Sequence, residues 1–418
     1  MLKKFLHIKQ KFNNNIKIVE NYFFMTSLQL FSSLIGILIY PYLIRVLGPQ
    51  SYGSYVFALS VISYFIGLVS FGFSFPALKA IVENKHDIIA KSNILSSVFT
   101  AKCLIALISS FLFTGMILTI PFLRDNWFVF VICFTQIVAE VLFPIWYFQG
   151  MQKMYLVTII QLGLRIISLP FIFIFVNSSD DIGVFVLITS FFIVLGGIIS
   201  VLYLIFNDKI TFRFVPFKEL KKYFKDALPF FWSSVTSTIK LESATIIIGS
   251  FFSMSDVALY DLANKIITIP RMFTLSINSA LFPKLVENIN NNLIKKIIKY
   301  EAIIGVSIIV IIIVFGKWIV LLMGGESMEA AFPLAIILST TIVTWLVIGS
   351  YINFIFVPKN RYYFVSKNQL VAFITFFMFC IFGLFIYNSI FIVVASISLS
   401  GICEIVYSRY LIKKHNLL

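Results

Sequence analysis

Six cations interrupt the most apolar stretches of this 418-residue chain: Lys102, Arg165, Lys240, Lys265, Arg271 and Lys317. Three acids share that setting, Glu140, Asp261 and Glu404. On insertion scales a Lys or Arg at the centre of a bilayer costs about 2.5–3.5 kcal/mol, so a charge kept there faces a partner, a cavity or a ligand. Asp261 and Lys265 are four residues apart and can neutralise one another on one helix face. Lys240, Arg165 and Arg271 have no such local acid, because Glu242, two residues from Lys240, points elsewhere. Fixed cations lining a water-filled cavity suit an anion such as a phosphate, since they replace the water it gives up. Lys240, Arg271, Arg165, Lys265 and Lys102 are therefore the candidate anion-binding residues. Lys102 and Lys317 can also snorkel towards an interface. Glu140, Asp261 and Glu404 are candidates for carrying a coupling proton, unless each balances a nearby cation.

Other chemistries lack their residues. The chain has no P-loop, no H-E-x-x-H, no G-x-S-x-G and no G-x-G-x-x-G, and its three His (His7, His86, His415) lie outside the apolar stretches. The four cysteines, Cys103, Cys133, Cys380 and Cys403, fall inside apolar stretches without metal-ligand spacing and read as small hydrophobes. No catalytic group, metal site or cofactor is expected. The outer loops are too short for the site of a membrane glycosyltransferase or polymerase, so the chain reads as no enzyme.

The elements that position these charges are long helices. Mean hydropathy is +0.99, with 60% hydrophobic and 12% charged residues, against about 25% charged in a soluble domain. Twelve stretches suit the roughly 20 apolar residues of a transmembrane helix, centred near Ile35, Ile62, Ile108, Val138, Ile167, Ile193, Ser243, Thr268, Ile309, Val343, Phe376 and Val394. Of the 33 Lys and Arg, 25 fall at the termini or in alternate gaps and only Arg45 and Arg124 in the gaps between. By the positive-inside rule both termini are cytoplasmic. A net charge of +15 spread over such loops implies no nucleic-acid partner. The basic stretch Met1–Glu20 has no apolar core of a signal peptide and reads as an interfacial lead-in.

The most charged connection, Asn207 to Asp226, splits the chain into an N-terminal half (1–206), a basic linker (207–226) and a C-terminal half (227–418). A shift of about 205 residues aligns Tyr55, Ala58 and Ile62 with Tyr260, Ala263 and Ile267. Six spans per half make such a repeat parallel, with its axis along the membrane normal. The expected fold is an all-α polytopic membrane protein, two pseudo-symmetric six-helix bundles around a central cavity. Polar residues at helical spacing mark inward faces: Tyr22, Thr26, Gln29, Ser33, Gly36 and Tyr40 in the first span, and Ser233, Thr236, Ser237, Lys240 and Ser243 in the seventh. Gln136, Glu140 and Tyr147 share a stripe in the fourth, and Asp261, Asn264, Thr268, Arg271 and Asn278 another in the eighth. Close helix packing explains the small residues equally well. Trp146, Tyr147, Trp232 and Trp345 could offer flat surfaces to sugar rings, although interfacial anchoring is the commoner role.

Three motifs carry a family resemblance. Arg45-Val46-Leu47-Gly48-Pro49-Gln50-Ser51-Tyr52-Gly53 resembles the R-x-L-G-P-x-x-Y-G loop of bacterial polysaccharide-unit flippases, and Trp146-Tyr147-Phe148-Gln149-Gly150 resembles the W-x-x-Q-G element of the same family. Ser255 to Ala263 is similar to the second-half counterpart of the first loop. The resemblance implies a Wzx-type flippase for O-antigen (lipopolysaccharide) or capsule, in the multidrug/oligosaccharidyl-lipid/polysaccharide exporter superfamily, with a MATE-like fold in the bacterial inner membrane. It further implies undecaprenyl-diphosphate-linked oligosaccharide as substrate, contact with membrane lipid, and a polysaccharide polymerase and chain-length regulator as partners. Arg45, Gly48, Pro49 and Gly53 are expected to shape a turn rather than bind substrate. A drug/cation antiporter of the same superfamily would need acids rather than cations for its ligand, and a transferase acting on lipid-linked sugars would form a covalently new product. The charge pattern sets one expected outcome: a cysteine introduced beside Lys221 should react with a membrane-impermeant thiol reagent only after permeabilisation, and one beside Asp180 in intact cells.

Overall fold

Among the described residues every regular element is a helix. The structure, a computed structural model, describes the backbone of residues 2–287, 291–359 and 361–418, and within these the side chains of all but 2–19, 22, 233, 237, 240, 272–287, 291 and 362. Nine helices among the described residues are long and apolar enough to cross a membrane, which makes the protein an all-α, multi-pass membrane protein. The first, Phe23–Ser70, has 48 residues, about 72 Å at 1.5 Å per residue against a hydrocarbon core of about 30 Å. It breaks at Gly48, with φ 75° and ψ 164°, a conformation that costs glycine little. Pro49 follows as a pre-organised start for the next helical stretch. The helices Phe217–Phe251 and Met254–Glu287, of 35 and 34 residues, are also long enough but more charged. A count of twelve crossings requires these two to cross and Phe23–Ser70 to cross twice.

The chain forms two compact units. The first holds Met1–Gly36 and Ala58–Glu242, and the second holds Ile37–Phe57 and Ser243–Leu418. The first break falls four residues before Pro41, whose missing N–H leaves the carbonyl of Ile37 without its helical donor.

In the first unit a core of Phe73, Ile81, Val98, Tyr147, Phe148 and Leu204 packs helix Ser74–Glu83 against the short helix Ile145–Gly150. Trp146 and Tyr147 lie in this core, 4% and 0% exposed, so they are packing residues and not open surfaces for sugar. The Tyr147 hydroxyl donates to Asp208 at 2.9 Å, and the Lys153 ammonium reaches the same carboxylate at 2.5 Å. Burial works against that ammonium, but the hydrogen bond and charge of Asp208 outweigh it and hold Lys153 above the ordinary lysine value. A raised lysine pKa contributes stability that is lost only as pH climbs through the raised value, so the pair persists across neutral pH.

The linker is fastened rather than loose. After helix Ile182–Phe206 the chain runs extended along helix Ile88–Thr119. The backbone N–H groups of Thr211, Arg213 and Val215 donate to the hydroxyls of Ser92, Ser96 and Thr100 at 3.2, 3.1 and 3.2 Å. Two residues of extended chain advance about 6.6 Å and four residues of helix about 6.0 Å, so alternate N–H groups meet hydroxyls one helical turn apart. Ile210 and Val215 are buried beneath the strap, and Phe212 packs on Phe99 with ring centroids 5.5 Å apart. Each N–H orphaned by removing a hydroxyl costs about 1–3 kcal/mol. The triple variant Ser92→Ala, Ser96→Ala, Thr100→Val should therefore stay in the membrane but become sensitive to limited proteolysis between residues 209 and 216, where wild type resists.

Candidate functional site

In the second unit Asp261 and Lys265 meet the segment 37–57. Tyr52, in the sequence motif after Gly48, donates its hydroxyl to Asp261 at 2.9 Å and accepts from Lys265 at 3.0 Å. Lys265 also forms an ion pair with Asp261 one turn earlier, and its ammonium lies over the rings of Tyr40 and Tyr52, 5.0 and 5.6 Å from their centroids. Lys265 is thus held by a carboxylate, a phenol and two aromatic faces. Helix Met254–Glu287 presents Asp261 and Lys265 because it starts in a fixed register: Ser253 accepts from the Asp256 N–H at 3.1 Å, and Asp256 from the Ser253 N–H at 3.1 Å, a reciprocal cap. Close approach adds to that register, since a Cβ on Gly53 would lie 1.7 Å from the carbonyl oxygen of Met254. Gln50 and Ser255, 205 residues apart, share a hydrogen bond of 3.1 Å. Arg45 donates at 2.7 Å to the carbonyl of Leu322, in the last turn of helix Asn291–Gly324, where carbonyls lack helical donors and a cation suits the dipole. Arg271, two turns after Asn264 on the same helix, lies half-buried over Trp345 at 5.0 Å.

In the first unit Lys102 is 3% exposed and binds Glu140 twice, at 2.7 Å to its carboxylate and 2.9 Å to its backbone carbonyl. The second contact has a local cause. The helical donor to that carbonyl would be the N–H of residue 144, which is proline. The fourth expected span runs as Trp127–Phe134, Gln136–Leu142 and Ile145–Gly150; Pro144 accounts for the second break, and the ammonium covers the carbonyl that this break leaves over. Arg165, on helix Met154–Phe175, approaches the small-residue face of the first helix: a Cβ on Gly36 would lie 3.7 Å from its guanidinium.

Lys102, Lys265 and Lys317 each meet a carboxylate, Lys317 at 2.6 Å from Glu329 on an exposed edge. Arg165 is set against Gly36 and Arg271 against an indole. The side chains of Lys240, Ser233, Ser237, Asn278 and Tyr22 lie outside the described residues. Glu404 is 7% exposed and accepts from Asn368 at 3.0 Å, while Ser408 donates to Asn368 at 2.9 Å. The sequence places Tyr40 on an inward face without a partner, and it does not single out Asn368 or Glu301, a buried acid that Ser350 bonds from the neighbouring helix. The signal for Glu301 was an acid entering an apolar run after Lys299. Among the described residues no group of three or more His, Cys, Asp or Glu could hold a metal ion.

This arrangement of helices has known counterparts. Residues 18–289 match the family described as polysaccharide biosynthesis protein, and the chain belongs to that family. A "Putative O-antigen transporter" of Escherichia coli (strain K12) is 25% identical over 285 residues, 68% of this chain and 69% of that protein. The fold is similar to that of the lipid II flippase MurJ in an inward closed conformation, with a TM-score of 0.70 at 14% identity over 93% of this chain and 87% of that one. An inward-facing multidrug resistance MATE family transporter of the MOP superfamily gives 0.63 at 15% identity, over 93% and 95%. The MATE-like fold follows.

The Lys102–Glu140 pair sets an expected outcome. Removing one member of a buried pair costs about 3–5 kcal/mol, whereas replacing both is often close to neutral. Lys102→Met should lose folded protein, measured by the monodisperse fraction on size exclusion after mild heating, and Lys102→Met with Glu140→Gln should recover most of it.

Proposed function

We propose that this protein is a flippase that moves undecaprenyl-diphosphate-linked oligosaccharide repeat units from the cytoplasmic to the outer leaflet of the bacterial inner membrane, for O-antigen or capsule synthesis. What carries this reading is the union of a polysaccharide-biosynthesis family with an exporter fold. A relative described as an O-antigen transporter and a structural neighbour that is a lipid II flippase support it. The proposed cycle is alternating access by two halves, 1–206 and 227–418, each of six spans and joined through the linker 207–226, with both termini cytoplasmic. The prenyl tail stays in lipid while diphosphate and sugars enter a cationic cavity.

Within that cavity Arg271, Arg165 and Lys240 are assigned to the diphosphate. The guanidinium carbon of Arg271 lies 5.0 Å from the Trp345 ring centroid, and the planar fork of a guanidinium suits two-point pairing with phosphate oxygens. Lys265 and Lys102 contribute positive potential from within their ion pairs and hold the walls. No covalent bond is made or broken. Direction comes from an ion gradient or from consumption of the flipped product by a polymerase working with a chain-length regulator, and Glu140, Asp261 and Glu404 are the acids available to exchange a proton. The likeness to a MATE transporter brings a second reading, a drug/cation antiporter; under it, deletion leaves lipid-linked sugars distributed as before.

Arg271→Ala and Lys240→Glu should each abolish surface polysaccharide while the protein remains in the membrane at wild-type amount. Normal polysaccharide in both removes the cationic-cavity assignment. In a deletion strain the lipid-linked repeat unit should be inaccessible from outside, and equal access in deletion and wild type defeats the flippase reading.

A further inference from the structure

The basic linker pairs its cations with aromatic side chains that are largely exposed. Phe214 and Phe217 are 81% and 69% exposed, beside exposed Lys209, Arg213 and Lys218. The helix from Phe217 continues the pattern. At about 100° per residue, Lys218, Lys221, Lys222 and Lys225 fall within an arc of about 100°, and Phe217 lies between that arc and the inward stripe of Leu220 and Phe224. Leu220 is fully buried and Phe224 packs on Phe73. Of the acids nearby, Asp208 is engaged by Lys153 and Glu219 stands 3.9 Å from Arg213 on an exposed face; Asp226 is exposed.

The level of this surface follows from helix Ile88–Thr119. Its 32 residues make about 48 Å, some 18 Å more than the hydrocarbon core. A strap carrying Arg213 has no place in hydrocarbon, so the surplus lies at the end bearing Ser92, Ser96 and Thr100, and the strap lies at the head-group layer. Cations beside apolar wedges at that depth match a surface of phosphate head groups over acyl chains.

We propose that segment 209–225, held in place by the Ser92, Ser96 and Thr100 hydroxyls, is a docking surface for anionic phospholipid head groups of the adjacent leaflet. Phe214 and Phe217 enter the acyl boundary, and Arg213, Lys218, Lys221 and Lys222 meet the phosphates. The binding is independent of the proposed transport reading, since it is measured without translocation.

The test uses purified full-length protein, stripped of lipid in detergent and titrated with phosphatidylglycerol or with phosphatidylcholine of the same acyl chains, bound lipid being counted by native mass spectrometry. With each cation near an anionic surface worth about 1 kcal/mol, wild type should prefer phosphatidylglycerol by at least about tenfold, and added salt should shrink the preference. The variant Arg213→Gln, Lys218→Gln, Lys221→Gln, Lys222→Gln should fall to within about twofold of parity, and the milder Lys218→Gln, Lys222→Gln variant should lie between, by the same scaling. Equal retention of both lipids by wild type, a preference untouched by salt, or one that survives the milder and the full charge removal overturns the proposal.

Discussion

A polar group buried away from water must find its partner within the protein, and the internal architecture of this protein is arranged around that constraint. Pro144 withdraws a donor from the carbonyl of Glu140, and Lys102 supplies one from another helix. The helix ending at Gly324 runs out of donors, and Arg45 reaches the carbonyl of Leu322. The linker carries backbone N–H groups against a helix that meets them with a row of hydroxyls. Glu404 and Glu301 are buried with Asn368 and Ser350 beside them. In each case a local backbone requirement or a buried charge is answered by a side chain distant in sequence, and the answering residue ties two helices together.

The same constraint sorts the cations on the long helices. An ammonium is a compact, strongly hydrated charge, and Lys102 and Lys265 are each held by a carboxylate with further polar or aromatic contacts. A guanidinium is more weakly hydrated and suits an aromatic face, and Arg271 sits over Trp345. The family motif takes part in this sorting. Its Gly48 breaks the helix, its Gly53 allows contact with the Met254 backbone, its Arg45 covers a helix end, and its Tyr52 joins the Asp261–Lys265 pair. A turn-forming role accounts for Gly48 and Pro49 but not for Arg45 or Tyr52, whose partners are 277 and 209 residues away.

Much of this is legible in the sequence. Hydropathy and length were enough for an all-helical membrane protein, because burying apolar surface in lipid is additive along a helix and needs no knowledge of neighbours. The Asp261–Lys265 pair was readable too, since four residues on a helix bring two side chains together whatever surrounds them. The sequence leaves Trp146 and Tyr147 open between sugar surface and interfacial anchor, and they are core, because an aromatic next to a span looks the same in sequence whether it packs inward or faces a cavity. Lys102 and Glu140 were both recognised as charges out of place, but not as partners.

What tertiary structure alone decided was pairing. Which of the nine described apolar helices stands beside which, and how each is turned about its axis, depends on many small contacts between residues far apart in the chain. That rotation joins Lys102 to Glu140 across 38 residues and Tyr52 to Asp261 across 209, and it sends segment 37–57 to the second unit although its flanks belong to the first. The sequence records that charges inside the membrane need partners, since that cost is local. It does not record who the partners are, because the partner is chosen by packing.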